Sequence, residues 1–435
     1  MIASKSNKGL LAQLLRGGAG SALVQAANGF VALALSVVLA RALGTEGYGL
    51  YAYAFSIMGL LMALAEMGFP TLLIREVAAS KSRSDWRLLR GAVVRSSQFV
   101  LITATVVSVV GLLILNAFDD SLSLVEKQTW LYMLMLLPLA ALTKIIASAL
   151  KGLYLVVAGQ TLEALLRPVL VLVGLMVLFY TMPTLRQPHY AMGAQLLAGA
   201  ITMAVAMLVI RRQMPKAVWN ATPQYQNLAW LKSAIPFTLI SGAGIINNQA
   251  DIIMLGGLRQ VDDVGVYRVA MQVAMLVMFW LQAIGAFVTP HFARLYAQSD
   301  MEGLQRLATM SARVILFGAL PAAMILGFAG EWLLGLVYGQ EYLASFAPLL
   351  VLVLGQLLAT FFGAVGPLLS MAGLERTIAN SMWASVISNI VLNFTLIPIY
   401  GATGAALATS MTLVGWTFFL YLLSKRRLGI VCRAI

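Results

Sequence analysis

Apolar runs of roughly twenty residues recur from one end of the chain to the other, separated by short polar stretches. As a helix, a run of that length spans about 30 Å of hydrocarbon. Twelve runs fit, at approximately 18–40, 48–69, 92–116, 129–150, 156–181, 190–210, 233–256, 264–288, 308–330, 346–368, 378–398 and 402–423. The pattern predicts an all-α polytopic membrane protein of about 12 transmembrane helices. Lys5, Lys8 and Arg16 precede the first run, as in a signal peptide, but a run from 21 to 39 is too long for a signal core and reads as a retained helix.

Polar residues interrupt some runs in ordered ways. The stretch IINNQADIIMLGG (245–257) places Asn247, Asn248, Gln249 and Asp251 inside the seventh run. An ionised carboxylate at the centre of a membrane helix costs about 3 kcal/mol on insertion scales. At about 100° per residue, Asn247, Asn248 and Asp251 share an arc and Gln249 lies off it. Arg268, Gln272, Met275, Phe279 and Gln282 share a stripe on the eighth helix. Ser21, Gln25, Asn28 and Ser36 do so on the first, and Ser381, Ser385, Asn389 and Asn393 on the eleventh. On the fifth, Glu163 and Arg167 stand four apart, a spacing at which they can pair.

Basic residues collect in alternate loops. One set holds Lys81, Arg83, Arg87, Arg90, Lys144, Lys151, Arg211, Arg212, Lys216, Arg294, Arg306, Arg376 and Lys425-Arg426-Arg427. The other holds Arg41, Lys127, Arg186 and Arg259. The bias predicts both termini in the cytoplasm. It also explains a formal charge of +13 without nucleic acid. Hydrophobic residues make up 61% and charged residues 10%, against about 25% charged in a soluble domain, which excludes a soluble globular protein. The single cysteine, Cys432, allows no disulfide within the chain, and neither it nor His189 or His291 suggests a metal site. No cofactor and no phosphate-binding loop are expected.

The halves resemble each other. Glu46-Gly47-Tyr48-Gly49-Leu50-Tyr51 returns loosely as Asp262-Asp263-Val264-Gly265-Val266-Tyr267. Lys151-Gly152-Leu153 returns as Ala372-Gly373-Leu374, and Ala191-Met192-Gly193-Ala194 as Ala402-Thr403-Gly404-Ala405. The expected organisation is an N-lobe over 1–212 with helices 1–6, an interfacial linker over 213–232, and a C-lobe over 233–435 with helices 7–12 and a short basic tail. Six helices per half make the repeats parallel, two pseudo-symmetric lobes around a central cavity, as in transporters that work by alternating access.

The stretch LARALGTEGYGLYAYAFSIMGLLMALAEMGFPTLLIREVA (39–78) resembles the opening of the polysaccharide transporter family. That family shares a superfamily with multidrug exporters and lipid II flippases. The resemblance rests on Ala40, Arg41, Leu43, Gly44, Gly49, Tyr51, Glu66 and Gly68, and in the second half on Asp251, Gly256, Val264, Gly265 and Tyr267. Lipid II flippases carry two further helices and arginines in helices one and two; Ala34, Leu35 and 60–63 stand at the comparable places here.

The resemblance implies a flippase, not an enzyme, for a polyprenyl-pyrophosphate-linked oligosaccharide in surface polysaccharide synthesis at a bacterial cytoplasmic membrane. It implies membrane lipid around the chain, and a polysaccharide polymerase and chain-length regulator as associates. A multidrug exporter is the alternative within the superfamily. A membrane polysaccharide polymerase or ligase is the alternative of another class, disfavoured by the short outside loops. Family architecture puts helices one, seven and eight on the cavity, which makes Arg268, Gln272, Asn247, Asn248, Gln25 and Asn28 the substrate-binding candidates. Arg41 and Arg167 are secondary cationic candidates. Asp251, Glu66 and Glu163 are candidates for coupling transport to Na⁺ or H⁺. Two readings stay open for Asp251: it carries the coupling ion, or it orients Arg268.

Overall fold

The computed structural model describes residues 2–118 and 122–434, with side chains from Gly20 onward except that of Ile240. Lys5, Lys8 and Arg16 lie outside the described side chains. Every regular element described is helical: α1 (Ile2–Glu66), α2 (Phe69–Ser82), α3 (Trp86–Ala117), α4 (Leu124–Gly152), α5 (Val156–Gln160), α6 (Arg167–Thr181), α7 (Pro188–Gln213), α8 (Lys216–Asn220), α9 (Asn227–Leu258), α10 (Val261–Ala297), α11 (Met301–Phe328), α12 (Gly330–Val337), α13 (Phe346–Thr360), α14 (Val365–Met371) and α15 (Glu375–Leu428). A π-helical turn, Thr161–Leu166, joins α5 to α6.

Among the described residues, ten helices are long and apolar enough to cross a membrane. Two of them are broken in mid-length. Gly44 (φ 68°, ψ −176°) divides α1, and Gly401 (φ 56°, ψ −131°) divides α15. Side chains other than glycine rarely adopt that backbone, so these two residues turn ten helices into twelve spans. Each break exposes carbonyls that a helix would have bonded. Tyr342 donates its hydroxyl to the Gly44 carbonyl at 2.8 Å. Arg259 donates to the carbonyls of Ile397, Pro398 and Ile399 at 2.8–3.4 Å.

The chain divides into two compact units. The first comprises residues up to Leu43 and Ala54–Ile245. Its core packs Leu72, Leu73, Val77, Leu89, Leu137 and Leu150. The connection after α7 is tied down within it. Arg90 donates to the carbonyls of Trp219 and Ala221 at 2.6 and 2.7 Å, and the Gln224 amide donates to the Arg87 carbonyl at 3.0 Å. Arg95 donates to Asn227 Oδ1 at 2.8 Å and lies over the Tyr225 ring.

The second unit comprises Gly44–Tyr53 and Ile246–Ile435. Ten residues from the first half of the sequence therefore belong to a body built from the second half. Backbone proximity holds them there. A Cβ on Gly49 would lie 2.0 Å from the Val261 carbonyl oxygen, and one on Gly265 would lie 2.3 Å from that of Thr45. The two glycines are equivalent in the internal repeat, and each makes room for the other's helix. At the far end of the chain, the segment after α15 folds back. Gln305 exchanges two 2.8 Å hydrogen bonds with the Val431 backbone, and Arg313 donates to the Ala434 carbonyl at 3.1 Å. Ile430 and Cys432 join the core of Val288, Phe292, Leu304 and Leu420.

Two outcomes follow from this packing. Gly49→Ala is expected to destabilise the second unit by about 1–3 kcal/mol through overpacking, read as a lowered unfolding temperature in detergent; an unchanged temperature would refute the close approach. Burial pushes the Cys432 thiol up to about 12, so it stays protonated and unreactive near neutral pH. Native protein is expected to resist a maleimide and to react once denatured. Cysteines introduced at the exposed Gln187, Ser84 and Ser299 can then be read one at a time. An impermeant reagent applied from outside is expected to reach Gln187→Cys alone, and the reverse labelling would invert the orientation drawn from the loop charges.

Candidate functional site

Asp251 is the most buried acidic side chain of the second unit, 2% exposed. It sits on α9 and receives hydrogen bonds from three other stretches of chain. Asn393 Nδ2, on the first half of α15, donates to Oδ1 at 2.6 Å. The Tyr267 hydroxyl, on α10, donates to Oδ2 at 2.8 Å. Thr409, on the second half of α15, also donates to Oδ2. Asn393 further donates to Asn389 Oδ1 at 2.9 Å, one turn away on the same face. The break at Gly401 makes this arrangement available, since it folds 389–393 and 409 of one helix onto the same carboxylate.

The partners are dipoles, not charges. Among the described residues Asp251 has no ion pair. The Asn393 carbonyl oxygen is buried without a hydrogen-bond partner. Asp251 and the Asn389 and Asn393 side-chain oxygens thus form a local set of oxygen acceptors. Such a set is short of positive charge, and an uncompensated buried carboxylate is costly.

Pairing with Arg268, one of the two readings open for Asp251, is absent. Arg268 follows Tyr267 by one residue and so points about 100° away from it. It is half-buried, and its guanidinium interacts with the Tyr48 hydroxyl in the Gly44–Tyr53 segment. The shared arc of Asn247, Asn248 and Asp251 also divides: Asp251 is interior, whereas Asn247 and Asn248 are exposed. Gln272 is half-buried.

The other candidates lie in the first unit. Gln25 and Arg41 are exposed and Asn28 half-buried. Glu66 pairs with Lys144 at 2.7 Å. Glu163, placed four before Arg167, takes an ion pair with Lys151, while the Arg167 guanidinium lies 5.7 Å from the centre of the Phe55 ring. Of the candidates, the structure thus places Asp251 in a carboxylate site in one unit and Glu66 and Glu163 in ion pairs in the other, and does not bring the rest together with them. Tyr267, Thr409, Lys144 and Lys151 are members that the sequence reading did not name as site candidates. A signal existed for two of them. Tyr267 closes the repeated Gly-x-Tyr motif, and Thr409 and Thr412 share a face with Ala405. No three His, Cys, Asp or Glu side chains converge among the described residues.

Comparison with known proteins adds the following. The probable low-salt glycan biosynthesis flippase of Haloferax volcanii is 24% identical over 220 residues, which is 50% of this chain and 45% of that protein. The chain thus matches about half the length of that relative. Two of the solved structures that share the fold are the following. One, an inward-facing multidrug resistance transporter of the MATE family, has a TM-score of 0.75 at 15% identity, covering 92% of this chain and 94% of that one. The other, the lipid II flippase MurJ in an inward closed conformation, has a TM-score of 0.73 at 16% identity, covering 93% and 87%. At these identities the likeness is one of fold alone. The MatE family profile matches residues 244–395. The profile of the polysaccharide biosynthesis proteins matches residues 14–296, well over half of the sequence, and the chain belongs to that family of multi-pass membrane proteins.

Proposed function

We propose that this protein flips a polyprenyl-diphosphate-linked oligosaccharide across a cytoplasmic membrane by alternating access, and that Asp251 carries the coupling Na⁺ or H⁺. The observation that carries the coupling step is the Asp251 carboxylate, buried among Tyr267, Thr409 and Asn393 and in no ion pair among the described residues. Ionisable groups inside membrane helices are costly and mark functional sites such as ion pathways by default. Membership of the family and the likeness to a glycan flippase support the substrate class.

The chemistry runs through one carboxylate. When an ion or proton occupies it, the charge is neutralised and the cluster of Tyr267, Asn389, Asn393 and Thr409 can stay closed. When the site empties, the bare carboxylate favours water and the packing that held it dry is weakened. The ion's differential affinity for the two states is what biases the transition. Arg268 is the cation offered to the substrate diphosphate from α10, poised on the Tyr48 hydroxyl. A second reading, export of small organic molecules, is favoured by the MatE match over 244–395.

One experiment separates these readings. A deletion strain is expected to accumulate lipid-linked oligosaccharide on the cytoplasmic face, and accumulation of a drug with normal surface glycan would favour the exporter. Restored with Arg268→Ala, the strain is expected to lack surface polysaccharide at matched expression. Arg268→Lys is expected to recover part of it, because the charge survives and the bidentate fork does not. In proteoliposomes, Asp251→Asn is expected to remove the dependence of flipping on a Na⁺ or H⁺ gradient. Gradient-dependent flipping by Asp251→Asn would take the ion away from this residue.

A further inference from the structure

The first unit holds a second group of charges that coupling at Asp251 does not use. α4 carries Lys144 and Lys151, seven residues and two turns apart. Their carboxylates come from elsewhere. Glu66, the last residue of α1, pairs with Lys144, and Glu163 pairs with Lys151. Glu66 and Glu163 are close enough for their charges to act on each other. Two ion pairs thus stand two turns apart along α4, each neutral in itself.

The four members are not equivalent. The Glu66 side chain is 6% exposed, and its Oε1 is buried with no hydrogen-bond partner. Lys144, Lys151 and Glu163 are 20–29% exposed, so a ligand can reach them. Each lysine has three N–H donors and a single ion-pair partner among the described residues. The inner pair is fixed, and the outer pair can be exchanged.

The backbone around Glu163 points the same way. Glu163 lies in the π-helical turn Thr161–Leu166. A π turn holds one extra residue, and its return to α geometry rotates the side chains beyond it by about 100°. Just before it, a Cβ on Gly159 would lie 2.6 Å from the Ala147 carbonyl oxygen and 2.7 Å from Lys151 Cγ. The close approach of α5 to α4 at this glycine is what brings Glu163 to Lys151. Ser21 donates to Gln160 on the same turn of helix, which ties the first span to it.

We propose that Lys144 and Lys151 form the docking site for the diphosphate of the lipid carrier, and that Glu163 occupies Lys151 until the diphosphate displaces it. The proposal rests on the flippase reading and names a docking site in the first unit for the acidic part of its substrate, a site additional to Arg268 in the second. An unpaired ammonium in an apolar surrounding is costly, so a carboxylate holds the site while it is empty. A diphosphate brings more charge and more acceptor oxygens than one carboxylate, and lysine binds phosphate as a point charge. Release of Glu163 frees the π turn to rearrange, so headgroup arrival is felt in α6. Glu66 keeps Lys144 oriented throughout.

The test uses the full-length protein in nanodiscs, titrated with farnesyl diphosphate, farnesyl monophosphate and phosphatidylglycerol. Glu163→Gln removes the competing anion and is expected to bind farnesyl diphosphate about tenfold more tightly. Lys151→Gln is expected to bind it about tenfold more weakly, and the gain from Glu163→Gln is expected to vanish in that background. Phosphatidylglycerol is expected to respond to neither change. If Lys151→Gln fails to fold, the gain in Glu163→Gln decides alone. Unchanged or weaker diphosphate binding by Glu163→Gln overturns the proposal. Equal responses to phosphatidylglycerol or the monophosphate also overturn it and leave a general anionic-lipid site. If wild-type protein binds no farnesyl diphosphate, the flippase reading falls as well; if it binds and the variants match it, only the site is lost.

Discussion

A charged or unbonded polar group inside hydrocarbon has no water to turn to, so it must find its partner on another stretch of the same chain. Much of the architecture is an answer to that constraint. Arg259 leaves its loop to take the carbonyls that end the first half of α15. Tyr342 does the same for the carbonyl at Gly44. Glu66, Glu163, Lys144 and Lys151 join the end of α1 and the π turn to α4. Asp251 draws α9, α10 and both halves of α15 together. Apolar packing holds the helices; the polar contacts decide which faces meet.

The two units meet the constraint by different physics. In the first, carboxylates are compensated by ammonium groups, so the cluster is neutral as it stands. In the second, the carboxylate is compensated by hydroxyl and amide dipoles, which stabilise the charge without cancelling it. A neutral cluster changes state by exchanging one partner for another. A dipole-held charge changes state by gaining or losing a cation. The same fold thus holds charge-compensated carboxylates in one unit and a dipole-held carboxylate in the other.

The spans were legible in the sequence because length and apolarity are local properties. Gly44 and Gly401 fall in the gaps between the first and second and the eleventh and twelfth predicted runs, where a continuous helix is nevertheless built around a single break. Asp251 was legible as a residue out of place, but its partners were not, since they stand 16 to 158 residues away and are ordinary Tyr, Asn and Thr. The projected arc failed to divide Asp251 from Asn247 and Asn248 because an arc of about 100° is wide enough to hold both an inward and an outward edge. Lys144 and Lys151 carried a topology signal that concealed a structural one. A basic residue in the last turns of a helix reads as a loop marker until its burial and its acidic partner are known.

The ten residues from Gly44 to Tyr53 also carry a consequence for how the chain is made. Synthesis runs from the N-terminus, and domains tend to fold as they emerge. This segment cannot: the backbone it packs on, Val261 to Gly265, is added some two hundred residues later. Until then its apolar flanks can enter the membrane, but Gly49 has nothing to lie against. The strip is therefore inserted early and held in reserve for the second body, to which it belongs. A protein truncated before Val261 would leave that strip without the backbone it packs on.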